Sequence, residues 1–341
     1  MNPIVDRSKK PRMGRWKKGL IGGLSLLLLL VGSGFVYEWG ASSLAKRQYP
    51  PTGKLVDVGG YRLHVDRMGQ GSPTIILEAG SGETSLSWKD IPQELSQYAT
   101  VVCYDRGGYA WSDEANTPRT GANIVKELHT ALENEGIPGP YLLVGHSLGG
   151  MYARLFAQTY RDEVAGLVLI DARPENDARD TADIYARESV SGKPPAWVST
   201  LLKRSGWLRL LRDPLLNGLV PKEERQTFVN VIATPNYFDA VDEEGSLTDS
   251  VEDVIREQDL GNLPVRIIAR GLPQDYALSG ISEEGGRQLE EIWQQGQRGM
   301  LDISDNSRLI VAEKSGHMVI HDEPELVVDV IKELLDNKDI P

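Results

Sequence analysis

Ser147 stands in Gly145-His146-Ser147-Leu148-Gly149, where the apolar run Tyr141 to Val144 gives way to Met151, Tyr152, Leu155 and Phe156 at helical spacing. A serine at such a strand-to-helix turn is a candidate nucleophile. The sharp turn strains its backbone and lifts the hydroxyl clear of the sheet edge, and a side chain at either flanking glycine would collide with its neighbours. The serine also opens a helix, whose unpaired N–H groups face the negative charge that develops on an attacked carbonyl oxygen. The chemistry indicated is attack on an acyl group, which needs a base within hydrogen-bond reach of the hydroxyl.

Five histidines are available for that task. His146 adjoins the serine and packs beside the turn, unable to reach the hydroxyl productively. His64 alternates with Leu63 and Val65 on a predicted strand and His129 sits on a predicted helix, so both read as structural. No H-x-x-x-H or comparable ligand set is present, and neither metal nor cofactor is expected.

With GHSLGG in place, the chain resembles the α/β-hydrolase superfamily from roughly Lys54 to Asn337. Similar segments follow in the expected order: ILEAGSGETSLSW at Ile76 to Trp88, YDRGGYAWSD at Tyr104 to Asp113, and SGHMVIHDEPELV at Ser315 to Val327. The resemblance is to the serine-nucleophile, lid-containing branch that holds esterases, peptidases and haloperoxidase-like enzymes. It implies His317 as the base, in the loop after the last strand and ahead of Pro324. His321 either lines the mouth of the site or is a solvated loop residue.

The carboxylate that orients the imidazole has two candidate positions in this fold. Asp171 ends LVLID and is the first choice; Asp275, in GLPQDYA one residue later than the usual spacing, is the alternative. For the oxyanion, the resemblance implies the backbone N–H of Leu148 and a second donor from the loop after Thr74 to Glu78. Many relatives carry His-Gly in that loop where this chain has Ala79-Gly80-Ser81, and the N–H of Ser81 is the choice there. Asp105-Arg106-Gly107 reads as a fold-stabilising turn, and the sequence assigns no role to Glu78 where an apolar residue is usual.

These groups need a scaffold. Strands are predicted at Tyr61 to Val65, Thr74 to Glu78, Thr100 to Tyr104, Tyr141 to Val144, Val164 to Ile170, Val265 to Ala269 and Ser307 to Val311. Helices are predicted near Ile91 to Ser96, over Gly121 to Glu135, after Ser147, near Glu283 to Gln295 and from Pro324, a residue suited to a first helical position. Ile124, Leu128, Ala131 and Leu132 make one stripe of the second. Such alternation predicts a mostly parallel twisted sheet with helices on both faces. The core is expected over 54–171 and 264–341. Between them, 172–263 breaks the rhythm with an apolar stretch from Trp197 to Leu216, where the resemblance implies a helical lid; that stretch packs on the core, lines an acyl pocket, or both.

At the N-terminus, seven basic residues against Asp6 make 1–18 a basic arm of charge +6. Uncharged residues follow from Gly19 to Tyr37, roughly 28 Å of helix and about one hydrocarbon core. We expect a transmembrane signal anchor over 19–39, with the arm cytoplasmic, a linker over 40–53 and the catalytic part extracytoplasmic. A cleaved signal peptide ending near Ser43-Leu44-Ala45 is the alternative. The chain of 341 residues is 40% hydrophobic and carries a formal charge of −12. Beyond the arm the remainder is still more acidic, which argues against nucleic acid or an anionic membrane surface as a partner. Cys103 is the only cysteine, so no intramolecular disulfide exists, and it reads as a core thiol.

The expectation is a membrane-anchored hydrolase acting on a small ester or acyl substrate with an apolar part, less readily an amide, through a Ser-His-Asp triad and an acyl-enzyme. A serine at the elbow disfavours the aspartate-nucleophile dehalogenases and epoxide hydrolases of the resembled fold. The alternatives are a non-catalytic ligand-binding protein on the same fold, an acyltransferase or a cofactor-free peroxidase.

Overall fold

Val164 to Ile170 carries no polar side chain and is buried along its whole length, which demands helices on both faces of the sheet. A computed structural model describes residues 15–188, 194–217 and 219–336 of the chain. The strands are β1 Lys54–Asp57, β2 Arg62–Met68, β3 Thr74–Glu78, β4 Thr100–Asp105, β5 Tyr141–His146, β6 Val164–Ile170, β7 Val265–Arg270 and β8 Ser307–Ala312. They form one sheet in the order β1-β2-β4-β3-β5-β6-β7-β8. From β4 to β8 neighbours run parallel, while β1 and β2 are antiparallel additions at one edge. The seven predicted strands are present; β1 is additional. It buries only Val56, too short an alternation to stand out in the sequence.

The chain opens with α1, Arg15–Gln48. It runs on through residues expected to form a linker, because nothing between Ala41 and Gln48 breaks a helix and Lys46 and Arg47 suit its negative end. Pro50-Pro51 then stops it. Helices α2 (Gly121–Asn134) and α3 (Leu148–Thr159) pack on one face of the sheet, with Ile124, Leu128, Met151 and Phe156 in that core. The opposite face is covered by Ile91–Leu95 and the closing helix Pro324–Leu335, through Leu95, Val327 and Ile331. Cys103 is buried on this side, and burial pushes its thiol pKa well up.

Between β6 and β7 lies the helical insertion. It contains α4 (Asp177–Arg187), α5 (Ala196–Arg204), α6 (Trp207–Leu210), α7 (Arg212–Leu215), α8 (Tyr237–Ser246) and α9 (Thr248–Ile255). It builds its own small core of Leu208, Leu216, Val229 and Tyr237 around Tyr109 of the sheet domain. Helix α10, Glu283–Gly299, follows β7 and packs against α4.

Candidate active site

Ser147 sits between β5 and α3 with φ of 51°, a left-handed value that a non-glycine residue adopts only under constraint. The constraint is steric and local. A Cβ on Gly149 would lie 2.2 Å from the carbonyl oxygen of Glu78, and one on Gly145 would lie 2.6 Å from the Gly149 oxygen, so only glycine lets α3 start this close to β3. The serine N–H donates to the Ile170 carbonyl at 3.0 Å, tying the turn to the end of β6.

The imidazole of His317 enters from the loop after β8, and its Nε2 lies 3.0 Å from Ser147 Oγ. Its Nδ1 lies 2.6 Å from Asp171 Oδ2. Asp171 follows β6 directly, has φ of 38° and is fully buried. Its Oδ2 also accepts from Arg270 Nη1 at 2.9 Å, while Oδ1 accepts the Arg270 N–H at 3.2 Å and Trp293 Nε1 at 2.9 Å. Burial opposes ionisation of this carboxyl, but the His317 hydrogen bond, the Arg270 charge and the Trp293 N–H outweigh it and hold its pKa below the ordinary aspartate value. An ionised Asp171 only accepts, which puts the imidazole proton on Nδ1 and leaves Nε2 free to take one from Ser147.

Asp275 is elsewhere. It is exposed in the segment after β7, accepts the N–H of Ala277 at 3.0 Å, and lines a surface cavity with Tyr276 and Glu290. Of the strand end and loop that made it a candidate, Arg270 and not Asp275 lies beside the carboxylate that meets the imidazole.

The N–H groups of Leu148 and Ser81 have no protein acceptor among the described residues. Leu148 opens α3, so no carbonyl of its own helix can reach it. The Ser81 loop is held from two sides. Glu83 Oε2 accepts the Gly80 N–H at 2.8 Å and meets His146 Nδ1 at 2.9 Å, while His146 Nε2 lies 2.9 Å from the His317 carbonyl oxygen. Burial works against charging either Glu83 or His146. Their mutual attraction prevails, lowering the glutamate pKa and raising the histidine pKa. His146 is therefore structural, as read, but through a link to the base loop.

On the other side, Arg106 Nη1 and Nη2 donate to the carbonyls of Ala79 and Gly80 at 2.6 and 2.7 Å. Nη1 also meets Glu78 Oε1 at 2.9 Å, and Nε meets Glu244 of α8 at 3.1 Å. Tyr104 donates to Glu78 and Tyr109 to Glu244. Burial dominates at Glu78 and pushes its pKa up to about 7 despite Arg106. Tyr237 of the same helix donates to the Gly82 carbonyl at 2.6 Å. Arg106 is thus more than the fold-stabilising turn expected, since it braces the loop carrying Ser81 from the insertion. A charged residue ending an otherwise apolar strand signals a buried partner, and Glu78 gave that signal; Glu244, more than a hundred residues away, gave none.

The remaining histidines are structural. His64 is buried against Asp105, His129 stacks on Tyr160 and meets Glu163, and His321 hydrogen-bonds the Ser87 carbonyl rather than being solvated. Among the described residues, no group of three or more His, Cys, Asp or Glu side chains is arranged to hold a metal ion.

The profile of the alpha/beta hydrolase family matches residues 27–330. The chain belongs to the alpha/beta hydrolase family. It is 24% identical over 276 residues to the uncharacterized protein YqjL of Bacillus subtilis (strain 168), covering 80% of this chain and 88% of that one. An epoxide hydrolase of Bacillus megaterium superposes with a TM-score of 0.59 at 19% identity, covering 83% of this chain and 100% of that one. A thermophilic esterase from Thermogutta terrifontis does so with a TM-score of 0.56 at 19% identity, covering 83% and 97%. At such identities the structural likenesses show the fold of an alpha/beta hydrolase.

Proposed function

We propose that the chain is a membrane-anchored serine hydrolase that cleaves an ester, less readily an amide, through an acyl-enzyme. The supporting observation is the unbroken hydrogen-bonded series from Asp171 through His317 to Ser147, with separations of 2.6 and 3.0 Å. In this reading His317 Nε2 takes the hydroxyl proton as Ser147 Oγ attacks the carbonyl carbon, and Asp171 stabilises the resulting imidazolium. The N–H groups of Leu148 and Ser81 hold the tetrahedral oxyanion. His317 returns the proton to the leaving alkoxide, and water attacks the acyl-enzyme with the same base to release the acid. The insertion over 172–263 is the lid and supplies the apolar part of the acyl pocket.

One described helix, with its apolar window in Leu20–Gln48, is long and apolar enough to cross a membrane, and none of that window is buried in the rest of the molecule. In the proposed arrangement it is an uncleaved signal anchor with the basic arm cytoplasmic and the hydrolase outside.

The test is labelling by a fluorophosphonate together with turnover of an ester panel of graded acyl length. Ser147→Ala is expected to lose labelling and nearly all turnover while keeping its thermal unfolding midpoint. Undiminished turnover by folded Ser147→Ala protein overturns the mechanism.

A further inference from the structure

The C-terminal half of α1 is fastened to the insertion. Glu38, the single acidic residue of α1 and 3% exposed, receives Lys203 of α5 at 2.9 Å and Arg209 of α6 through two bonds of 2.8 and 2.9 Å. One turn earlier, Gly34 lies so close to the α5–α6 turn that a Cβ there would sit 2.3 Å from the Ser205 carbonyl oxygen, and Tyr37 lies over Gly206. A doubly paired buried carboxylate and a backbone-to-backbone approach fix the insertion at one height along the helix.

That height is informative. Gly34 lies inside the uncharged run that ends at Tyr37, about 4.5 Å of helix from its outer end. A structure touching α1 there cannot stand clear of a bilayer that α1 crosses. The α5–α6 turn must sit at the level where headgroups meet acyl chains, the depth of roughly 5–10 Å that interfacial helices occupy.

The surface chemistry at this height agrees. Trp197, Leu201, Trp207, Leu210 and Leu215 on α5, α6 and α7, and Leu211 between the last two, are between 36% and 65% exposed. Neighbouring α1 presents Trp39 and Leu44 equally bare. A folded soluble surface rarely leaves so many large apolar residues together. Tryptophan is the residue enriched at membrane interfaces. In a molecule of charge −12, residues 194–216 carry four basic side chains against the single Asp213. Lys203 and Arg209 are taken up by Glu38, while Arg204 is hydrogen-bonded only to the neutral Pro235 carbonyl and Asn236 side chain, so the charges of Arg204 and Arg212 are left to draw headgroup phosphates.

From this we infer that α5, α6 and α7 form a bilayer-docking face, seated in the outer headgroup layer and locked to the membrane helix through Glu38. The inference rests on the proposed anchor. It adds that the insertion faces lipid rather than water, so the partner of this surface is a phospholipid bilayer.

The experiment uses the full chain in phosphatidylcholine–phosphatidylglycerol vesicles, in a Cys103→Ser background. An environment-sensitive fluorophore is attached at one of three substituted positions: Leu28→Cys in the apolar run, Leu211→Cys on the proposed face, or Asp305→Cys at the opposite edge of the sheet. Each labelled chain is first matched to the parent in thermal unfolding. Quenching by lipids carrying a nitroxide near the headgroup is expected to be several-fold stronger at Leu211→Cys than at Asp305→Cys, with blue-shifted emission. Quenching at Leu28→Cys beside a Leu211→Cys signal equal to that of Asp305→Cys overturns the docking face while leaving the anchor intact. Absence of quenching at Leu28→Cys by lipids carrying the nitroxide deep in the acyl chain, the depth at which the centre of the apolar run would lie, removes the anchor itself. A Leu211→Cys label shielded from aqueous iodide yet untouched by lipid nitroxides shows that a second copy of the chain covers the face, and this too overturns the proposal.

Discussion

Two buried arginines brace the two halves of the site, and they are braced differently. Arg270 leaves the end of β7, meets Asp171, and is held by Glu290 of α10 and by Tyr276, all from the segment that follows its own strand. Arg106 leaves the end of β4 and grips the loop carrying Ser81, but its outer carboxylate, Glu244, belongs to the insertion. The proposed proton relay is thus supported from within the core, and the proposed oxyanion site is supported from the proposed lid. Displacing the insertion should therefore disturb charge stabilisation before it disturbs proton transfer.

The largest effect belongs to the relay half. Asp171→Asn is expected to lower ester turnover by on the order of 10⁴, the scale set by the orienting aspartate of serine proteases, while Asp275→Asn stays near the parent rate. A silent Asp171→Asn beside a dead Asp275→Asn would reverse the assignment.

Next comes the oxyanion half. Removing Arg106 outright leaves Glu78 buried without a cation and Glu244 with only Arg119 at 3.8 Å, a loss of about 3–5 kcal/mol in stability, so Glu244→Gln is the cleaner change. It should keep the fold and reduce kcat by about tenfold, less than the 10²–10³ of a deleted oxyanion donor, because the loop is loosened rather than lost. Its pH–rate profile should keep its shape. Arg270→Gln should instead move the acid limb of kcat/KM upward in pH. Burial opposes the Asp171 carboxylate and Arg270 helps to hold it ionised, so without Arg270 it protonates at higher pH. Identical pH profiles for the two variants would break the comparison.

The smallest effect concerns Glu83 and His146, which join the two halves through Gly80 and the His317 carbonyl. His146 is raised above the ordinary 6.5, so its share of stability is present below that pH and is lost as pH climbs through the folded value. Glu83 is lowered below 4.5, so its share is present above that pH and is lost on acidification. Between those limits the pair should contribute about 2 kcal/mol, the scale of a hydrogen bond to a charged group. Glu83→Gln should lower the melting temperature most near pH 6 and flatten the decline above neutrality. A melting curve whose pH dependence matches the parent would remove the ion pair from the account.

Much of this was legible along the chain. Every strand but the short β1 shows as an apolar run or an alternation, and the elbow at Ser147 is written within five residues, because the steric demand at Gly145 and Gly149 comes from backbone that is local or directly adjacent in the sheet. The expected span over 19–39 was set by hydropathy, which marks where a helix can meet lipid, whereas helix-forming residues carry the helix itself on to Gln48 through most of the expected linker.

What the sequence determined by itself were the features set by neighbours a few residues away: strand, turn, helix and the strained serine. Only the tertiary structure shows which carboxylate lies against the imidazole, since Asp171 and Asp275 both lie near strand ends and the arrangement of β6, β7 and β8 brings Asp171 there, which supports the proposed role of Asp171. The same is true of Glu38 with Lys203 and Arg209, and of Glu78 with Arg106 and Glu244. A buried charge must find a partner, and its own sequence declares that need. The partner's identity depends on which distant segments the topology brings alongside.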